Sequence, residues 1–338
     1  MISKVFLFFL FLFNISLGFS QEIKGIVLEA KTNQPVESAS VYFDNTTIGT
    51  TTNIKGEFSI EYREDIKSLL IISFLGYQKN YIKDYSPKKT YKILLKENIN
   101  TLDEVFITDY DGMSREMKLE QFRAQFLGFS KNAKSSRILN EDDIILRYSE
   151  AEKQLSASAR KPILIENRNL GYLIAFDLND FKIAYSYMDI ENKRQHVKMI
   201  LYTGTSRYDN LEGSNKKRIL KNRQKSYKGS SLHFMRALAN GRLEKEQYVL
   251  LKKRSVIKAD DYFSVSKNEN DGSTTVKLKE PIVIFYDGKQ SPFQCKSEEF
   301  VIDKYGNHSP IDKVIFSGYM GNQRLGDALP LDYKINRD

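Results

Sequence analysis

From Ile23 onward, apolar residues recur at every second position in short runs: IKGIVLEA, ASVYF, EFSIEY, SLLIISFLGY, KNYIKD and TYKILLKE. A period of two sends alternate side chains to opposite faces of an extended chain, so each run buries one face and wets the other. The runs are rich in β-branched and aromatic residues, and Asn, Gly, Pro or Asp punctuate them about every ten residues. Six or seven short strands at that spacing predict a small all-β sandwich. Turn chemistry agrees, with Asn33 and Pro35 suited to a tight reversal and Gly49 and Gly56 placed where the chain must turn again. The stretch GTTTNIKGEFSI, residues 49–60, reads in isolation either as a ligand loop or as strand, turn and strand. The surrounding rhythm selects the second reading: a turn at Asn53 to Gly56, threonines as β-formers, and Phe58, Ile60 and Tyr62 sharing one face.

Ahead of this region stands MISKVFLFFLFLFNISLGFSQE, with one cation at Lys4, an apolar run from Val5 to Phe13, and small residues at Gly18 and Ser20. That is the pattern of a secretory signal peptide over residues 1–20, cleaved between Ser20 and Gln21. The apolar run is shorter than the roughly 20 residues of a membrane span, so the mature chain is expected to be exported and to lack a transmembrane segment. No cysteine follows the cleavage point to carry a lipid. Removing residues 1–20 takes away only Lys4 and lowers the formal net charge from +9 to +8. The single cysteine, Cys295, offers no intramolecular disulfide, so burial must supply the stability. Residues 21–338 exceed the usual growth limit of one core, and two domains are expected.

Beyond the sandwich, SREMKLEQFRAQFLG places Met117, Phe122, Phe126 and Leu127 at near-helical spacing and ends at Gly128. Four alternating runs follow, IILRYSEAEKQLSASA, ILIENRNLGYLIAFDL, KIAYSYMDI and QHVKMILYTG, which predict consecutive hairpins of one antiparallel sheet. The polar segment SNKKRILKNRQKSYKGSSLHFMRALANG predicts one or two helices, the second with Leu232, Met235 and Leu238 on one side. The remainder returns to strands. The expected class is mainly β: an N-terminal transthyretin-like β-sandwich over residues 22–97, a linker strand over 98–112, and a larger α+β domain built on antiparallel sheet over 113–338.

The order of Gly25, Pro35, Ala39, Gly49, Thr50, Thr52, Gly56, Phe58, Ser73, Gly76 and Tyr77 resembles the carboxypeptidase regulatory-like domain, a transthyretin-like sandwich common in exported Bacteroidota proteins. The chain departs from that pattern at Asn53, where the family usually has Asp. The resemblance implies an accessory sandwich without peptidase residues. NTLDEVFIT resembles the segment that follows this domain in starch-utilisation-type TonB-dependent receptors, so Leu102–Thr108 reads either as a TonB-box-like strand or as a plain inter-domain strand. Residues 113–338 are similar to an uncharacterised region attached to such sandwiches in Bacteroidota envelope proteins, which implies no known chemistry.

Catalytic and metal patterns are sparse. His196, His233 and His308 are far apart, and none forms the His-Glu-x-x-His spacing that brings zinc ligands together. Asp44, Asn53 and Glu57, or Asp271 before Gly272, do not build the oxygen ladder of a calcium loop; Asp271-Gly272 instead predicts a type I′ hairpin turn. No Gly-x-Ser-x-Gly occurs, and Ser231 stands two residues before His233, a spacing that parts their side chains on a helix. Cys295 alternates with Phe293 and reads as a buried small hydrophobe. The neighbouring pairs Asp142–Asp143 and Asp260–Asp261 face apart on a strand, so their sequence shows no glycosidase geometry. Asn45 and Asn307 fit a glycosylation pattern that carries no weight in a bacterial chain. No cofactor is expected, and no catalytic residue is assigned.

The densest charge is the run Lys216, Lys217, Arg218, Lys221, Arg223, Lys225 and Lys228, with Ile219 and Leu220 on the opposite helix face. It reads as a solvated face or as an anion site for envelope phosphates or an acidic glycan; export and the lack of a nucleic-acid fold motif exclude nucleic acid. The 20 tyrosines and 21 phenylalanines are ample for two cores, while the absence of tryptophan removes the commonest sugar-stacking platform. The expected function is a non-enzymatic envelope protein, periplasmic or associated with the outer membrane, that binds a glycan, peptide or protein partner. The alternatives are an accessory of TonB-dependent nutrient uptake and a hydrolase whose site is not visible in sequence.

Overall fold

The computed structural model describes residues 21–63, 68–98, 111–269 and 271–334. The export segment and Leu102–Thr108 lie outside the described residues.

The first seven strands are β1 (Gln21–Glu29), β2 (Ser40–Phe43), β3 (Gly49–Thr51), β4 (Glu57–Tyr62), β5 (Leu70–Ser73), β6 (Asn80–Ile82) and β7 (Thr90–Leu95). They form two sheets, β4-β1-β7 and β3-β2-β5-β6. Ile23, Val27, Phe58, Ile60 and Ile93 from the first pack with Val41, Phe43, Leu70 and Ile72 from the second in one apolar core. β1 and β7 run parallel, with Gly25 opposite Tyr91. The turn from Asn53 to Gly56 carries the chain from one sheet to the other, because β3 and β4 belong to different layers. Asn53 Oδ1 accepts from the amides of Lys55 and Glu57, both at 2.9 Å. Gly56 has φ +74, and a Cβ there would sit 2.4 Å from the Val27 carbonyl, so glycine is required. Thr52 does more than favour a strand. Its buried hydroxyl donates to Val36 O at 2.6 Å and accepts from Ala39 N at 2.8 Å, tying the entry of β2 to the exit of β3.

Six more strands follow: β8 (Ser136–Ile138), β9 (Ile144–Ser149), β10 (Gln154–Ala159), β11 (Ile163–Asn167), β12 (Tyr172–Asp189) and β13 (Arg194–Asn210). They make one antiparallel sheet in the order β8-β11-β12-β10-β9, with β13 on the other edge of β12. The runs ILIENRNLGYLIAFDL and KIAYSYMDI were expected to be separate; in the structure the end of the first and all but the last residue of the second join as β12, 18 residues long. The polar break is absorbed as an irregularity between Leu178 and Asp180. One edge of β12 serves two partners end to end, β11 at Tyr172–Phe176 and β10 at Lys182–Ala184. Across this sheet lies α1 (Arg115–Leu127), capped by Ser114, whose hydroxyl accepts from Met117 N, and terminated at Gly128. Phe122 and Phe126 stack with centroids 4.9 Å apart, and Phe122 meets Phe181 at 4.6 Å.

The predicted helical segment forms α3 (Lys217–Tyr227) and α4 (Ser231–Ala239), after a four-residue α2 (Lys131–Lys134). Phe234, Met235 and Leu238 of α4 enter a third core, while Leu232 is half-buried against the other two. That core is closed by two further antiparallel sheets. One contains β14 (Val249–Lys252), β15 (Ser255–Ile257), β18 (Ile282–Tyr286), β19 (Lys289–Cys295) and β22 (Val314–Phe316). The other contains β16 (Phe263–Lys267), β17 (Thr274–Leu278), β20 (Phe300–Ile302) and β21 (His308–Ser309). The fold is mainly β, with a sandwich followed by antiparallel sheet and helical insertions. Two local expectations change. The hairpin at Asp271-Gly272 has a longer loop, closed by Asn268 N donating to Ser273 O at 2.8 Å. A two-residue loop with both φ positive occurs instead at Asp287-Gly288, φ 45 and 75, where Tyr286 pairs with Lys289. Cys295 is only half-buried, its Sγ 3.2 Å from Ser297 Oγ.

The sandwich is fastened to the outer edge of β13. Asn45 N donates to Ser206 O at 2.6 Å and Tyr208 N to Thr46 O at 3.0 Å. Asp44 accepts from Ser206 N at 2.8 Å, and Asp177 pairs with Lys79 at 2.9 Å. The far end of the described chain adds to this seam: Leu331 N donates to Asn45 O at 2.7 Å, and Leu331 and Tyr305 complete the sandwich core.

Candidate functional site

The seven cations of the basic run do not act together. On α3, Ile219, Arg223, Ser226 and Tyr227 fall at i, i+4, i+7 and i+8, and all four are buried. Arg223 is therefore inside rather than on an anion-binding face. It donates to Leu170 O at 2.7 Å, Gly171 O at 3.1 Å and Asn210 Oδ1 at 3.0 Å, and lies 3.8 Å over the Tyr172 ring. Leu220 is 40% exposed, so the apolar back of the helix is Ile219 and Tyr227, not Ile219 and Leu220. Lys216, Lys217, Arg218 and Lys221 are exposed and do not line the cleft that Lys225 and Lys228 border.

Lys225 and Lys228 border a polar cleft of about 670 Å³. One wall is α3; the opposite wall is the β18–β19 turn with Asp287 and Lys289, beside Tyr286 and Tyr319. The floor comes from the start of α2 and from the segment after residue 322. Asp327 accepts from Ser130 Oγ at 2.8 Å and from Asn132 Nδ2 at 2.9 Å, and its backbone carbonyl accepts from Ser226 Oγ at 2.7 Å. Asn222 Nδ2 donates to Asn169 O at 3.0 Å, which fixes α3 against the β11–β12 turn. Burial raises the Asp327 carboxyl above its ordinary pKa, opposed by the two donors. Lys289 Nζ lies 4.2 Å over the Tyr319 ring.

A smaller chamber of about 210 Å³ shares Ser226, Gln323 and Asp327 with the cleft and is also lined by Arg324 and Tyr202. Arg324 donates to the carbonyls of Gly321 and Gln323, while its Nε is buried without a partner. Burial lowers its pKa, and no carboxylate among the described residues pairs with it.

Beside the cleft, packed against the Tyr286 ring, is His233. His233 is 3% exposed, and its Nδ1 accepts from Gly229 N at 3.1 Å and lies 2.9 Å from the Tyr248 hydroxyl. Nε2 faces Glu246 at 3.3 Å, so the network assigns the proton to Nε2. Burial lowers its pKa, partly offset by Glu246. Its neighbours Tyr227, Tyr248 and Tyr286 are aromatic, and it positions the cleft wall rather than opening to it. His196 is exposed beside Ser186, and His308 is half-buried with its pKa pushed down to about 4 by desolvation. Among the described residues, no group of three or more His, Cys, Asp or Glu is placed to hold a metal. No described helix is long and apolar enough to cross a membrane.

Residues 23–107 match the family model described as CarboxypepD_reg-like domain. A 95-residue stretch is 33% identical to the TonB-dependent receptor SusC of Bacteroides thetaiotaomicron; the match covers 28% of this chain and 9% of that receptor. A 9R-lipoxygenase from Cyanothece PCC8801 aligns over 65% of this chain and 48% of its own at 11% identity and a TM-score of 0.17, a likeness that carries no argument.

Proposed function

From a CarboxypepD_reg-like domain fastened to a body with a polar cleft, we propose a non-enzymatic protein of the bacterial cell envelope that binds a ligand in association with TonB-dependent uptake. Residues 1–20 serve as its export signal. The observation that carries this reading is the 33% identity over 95 residues to a TonB-dependent receptor, together with the CarboxypepD_reg-like match over residues 23–107. The binding role is supported by the cleft, whose carboxylate Asp327 is already occupied by Ser130 and Asn132. The test is affinity purification of the tagged full chain from cross-linked envelopes of its source cells. Enrichment of a TonB-dependent receptor is expected. Recovery of the chain in the cytosolic fraction with its first 20 residues intact, or turnover of peptides or glycans by the purified protein, would overturn the proposal.

A further inference from the structure

We infer that the cleft between α3 and the β18–β19 turn takes an acidic oligosaccharide, with an anionic group directed toward Arg324 in the chamber beneath. This deepens, and rests on, the proposal that the chain works by binding.

Charge sets the sign of the ligand. Lys131, Lys225, Lys228 and Lys289 converge on one cleft, and the first three form no ion pair with a described residue. Cations gathered around a concave surface repel one another and focus a positive potential on its interior. Only two carboxylates oppose them, Asp287 and the already bonded Asp327. Arg324 adds a guanidinium with no carboxylate partner among the described residues, and a half-buried charge of that kind is costly until an anion reaches it.

Hydroxyl chemistry narrows the class further. Asn132, Asn169, Asn222, Gln247 and Gln323 border the same cleft, and side-chain amides both donate and accept. A bare phosphate or sulfate has little to offer the accepting oxygens; a sugar ring presents hydroxyls to them and its acid group to the lysines. Lysine recognises charge as a point, without the bidentate fork of arginine, which suits carboxylates or sulfates spaced along a chain. Tyr286 supplies a ring wall in a protein without tryptophan. A cleft of about 670 Å³ lies within the roughly 300–1,000 Å³ of small-ligand sites.

The experiment measures binding of the purified full chain to three fluorescent hexamers, of galacturonic acid, of mannuronic acid and of heparin, with neutral maltohexaose and inorganic phosphate as competitors. At least one acidic hexamer should bind, weaken with salt, and resist both competitors. K225Q/K228Q should weaken it tenfold or more, and R324Q should do the same. K217Q/R218Q/K221Q removes more charge from the same helix outside the cleft and should change binding less than twofold. Absence of binding to all three hexamers, equal loss in the K217Q/R218Q/K221Q control, or full competition by phosphate would overturn the inference. K225Q/K228Q alters exposed side chains, so the test survives if R324Q fails to fold. Receptor enrichment by the K225Q/K228Q chain separates the two readings: if it persists when no acidic glycan binds, only the ligand assignment fails.

Discussion

In the sandwich, burial follows a local rule: alternate residues of short strands point inward, and the buried polar side chains are the small Thr46, Thr52 and Ser68. Around α3 and α4 the buried set instead includes Arg223, Ser226 and His233, with Arg236 half-buried beside them. Arg236 donates to the carbonyls of Tyr305 at 2.6 Å, Leu331 at 2.6 Å and Tyr333 at 2.9 Å. The first region is held by periodic apolar packing. The second adds to its apolar core cations that satisfy backbone carbonyls from segments far away in sequence. The difference shows that a basic stretch can be internal scaffolding where chain ends must be gathered, because a guanidinium carries five donors in a rigid fork.

The largest effects should come from the two cores. Phe43→Ala in the sandwich and Phe181→Ala under α1 each remove a fully buried ring and should cost about 4 kcal/mol. If the seam at β13 couples the regions, urea unfolding of either variant shows one transition; two well-separated transitions would break the coupled picture. Arg236→Met keeps the stem and removes three carbonyl partners, with an expected loss of about 3 kcal/mol in the same measurement. A loss below 1 kcal/mol would erase the contrast between the regions.

Next comes the pH response of the seam. Burial, opposed by the Ser206 and Asn45 amides, pushes the Asp44 carboxyl up to about 6 from an ordinary 3.8. The folded state therefore holds a proton that the unfolded state releases, and the Asp44 contribution to stability is full below about pH 4 and lost as pH rises through 6. Asp44→Asn keeps the accepting oxygen and should raise stability at pH 8 by on the order of 2 kcal/mol while flattening the profile between pH 4 and 7. Thermal unfolding at pH 4 and pH 8 tests the sign, and an equal gain at both would refute it. Smallest is Thr52→Val, expected to cost about 1 kcal/mol by thermal melting, since one buried amide and one carbonyl lose a short-range partner.

Much of the fold was legible because its signals are local. The alternation through Phe58 and Ile60, the turn at Asn53–Gly56 and the cap–helix–glycine pattern from Ser114 to Gly128 need no distant information. The length of β12 was hidden by Asn179 and Asp180, whose polarity reads as a break although an irregular register accommodates it. Arg223 shares its charge with the exposed members of the basic run, but its spacing from Ile219 and Tyr227 marks the buried face. Of the cleft, only Lys225 and Lys228 lay in the basic run. Ser130, Asn169, Tyr286 and Asp327 come from segments that only tertiary pairing brings together, and nothing local distinguishes them from ordinary turn residues.

The closure of the sandwich core by Leu331, and of its surface by Asp332 against Thr47 across 285 positions, sets an order of events. On a ribosome or at a translocation pore, the strands emerge first, but the side chains that seal them arrive near the end of the described chain. Contacts so remote in sequence form late and slowly. Until Tyr305 and Leu331 arrive, the apolar cluster of the sandwich lacks two of its buried members.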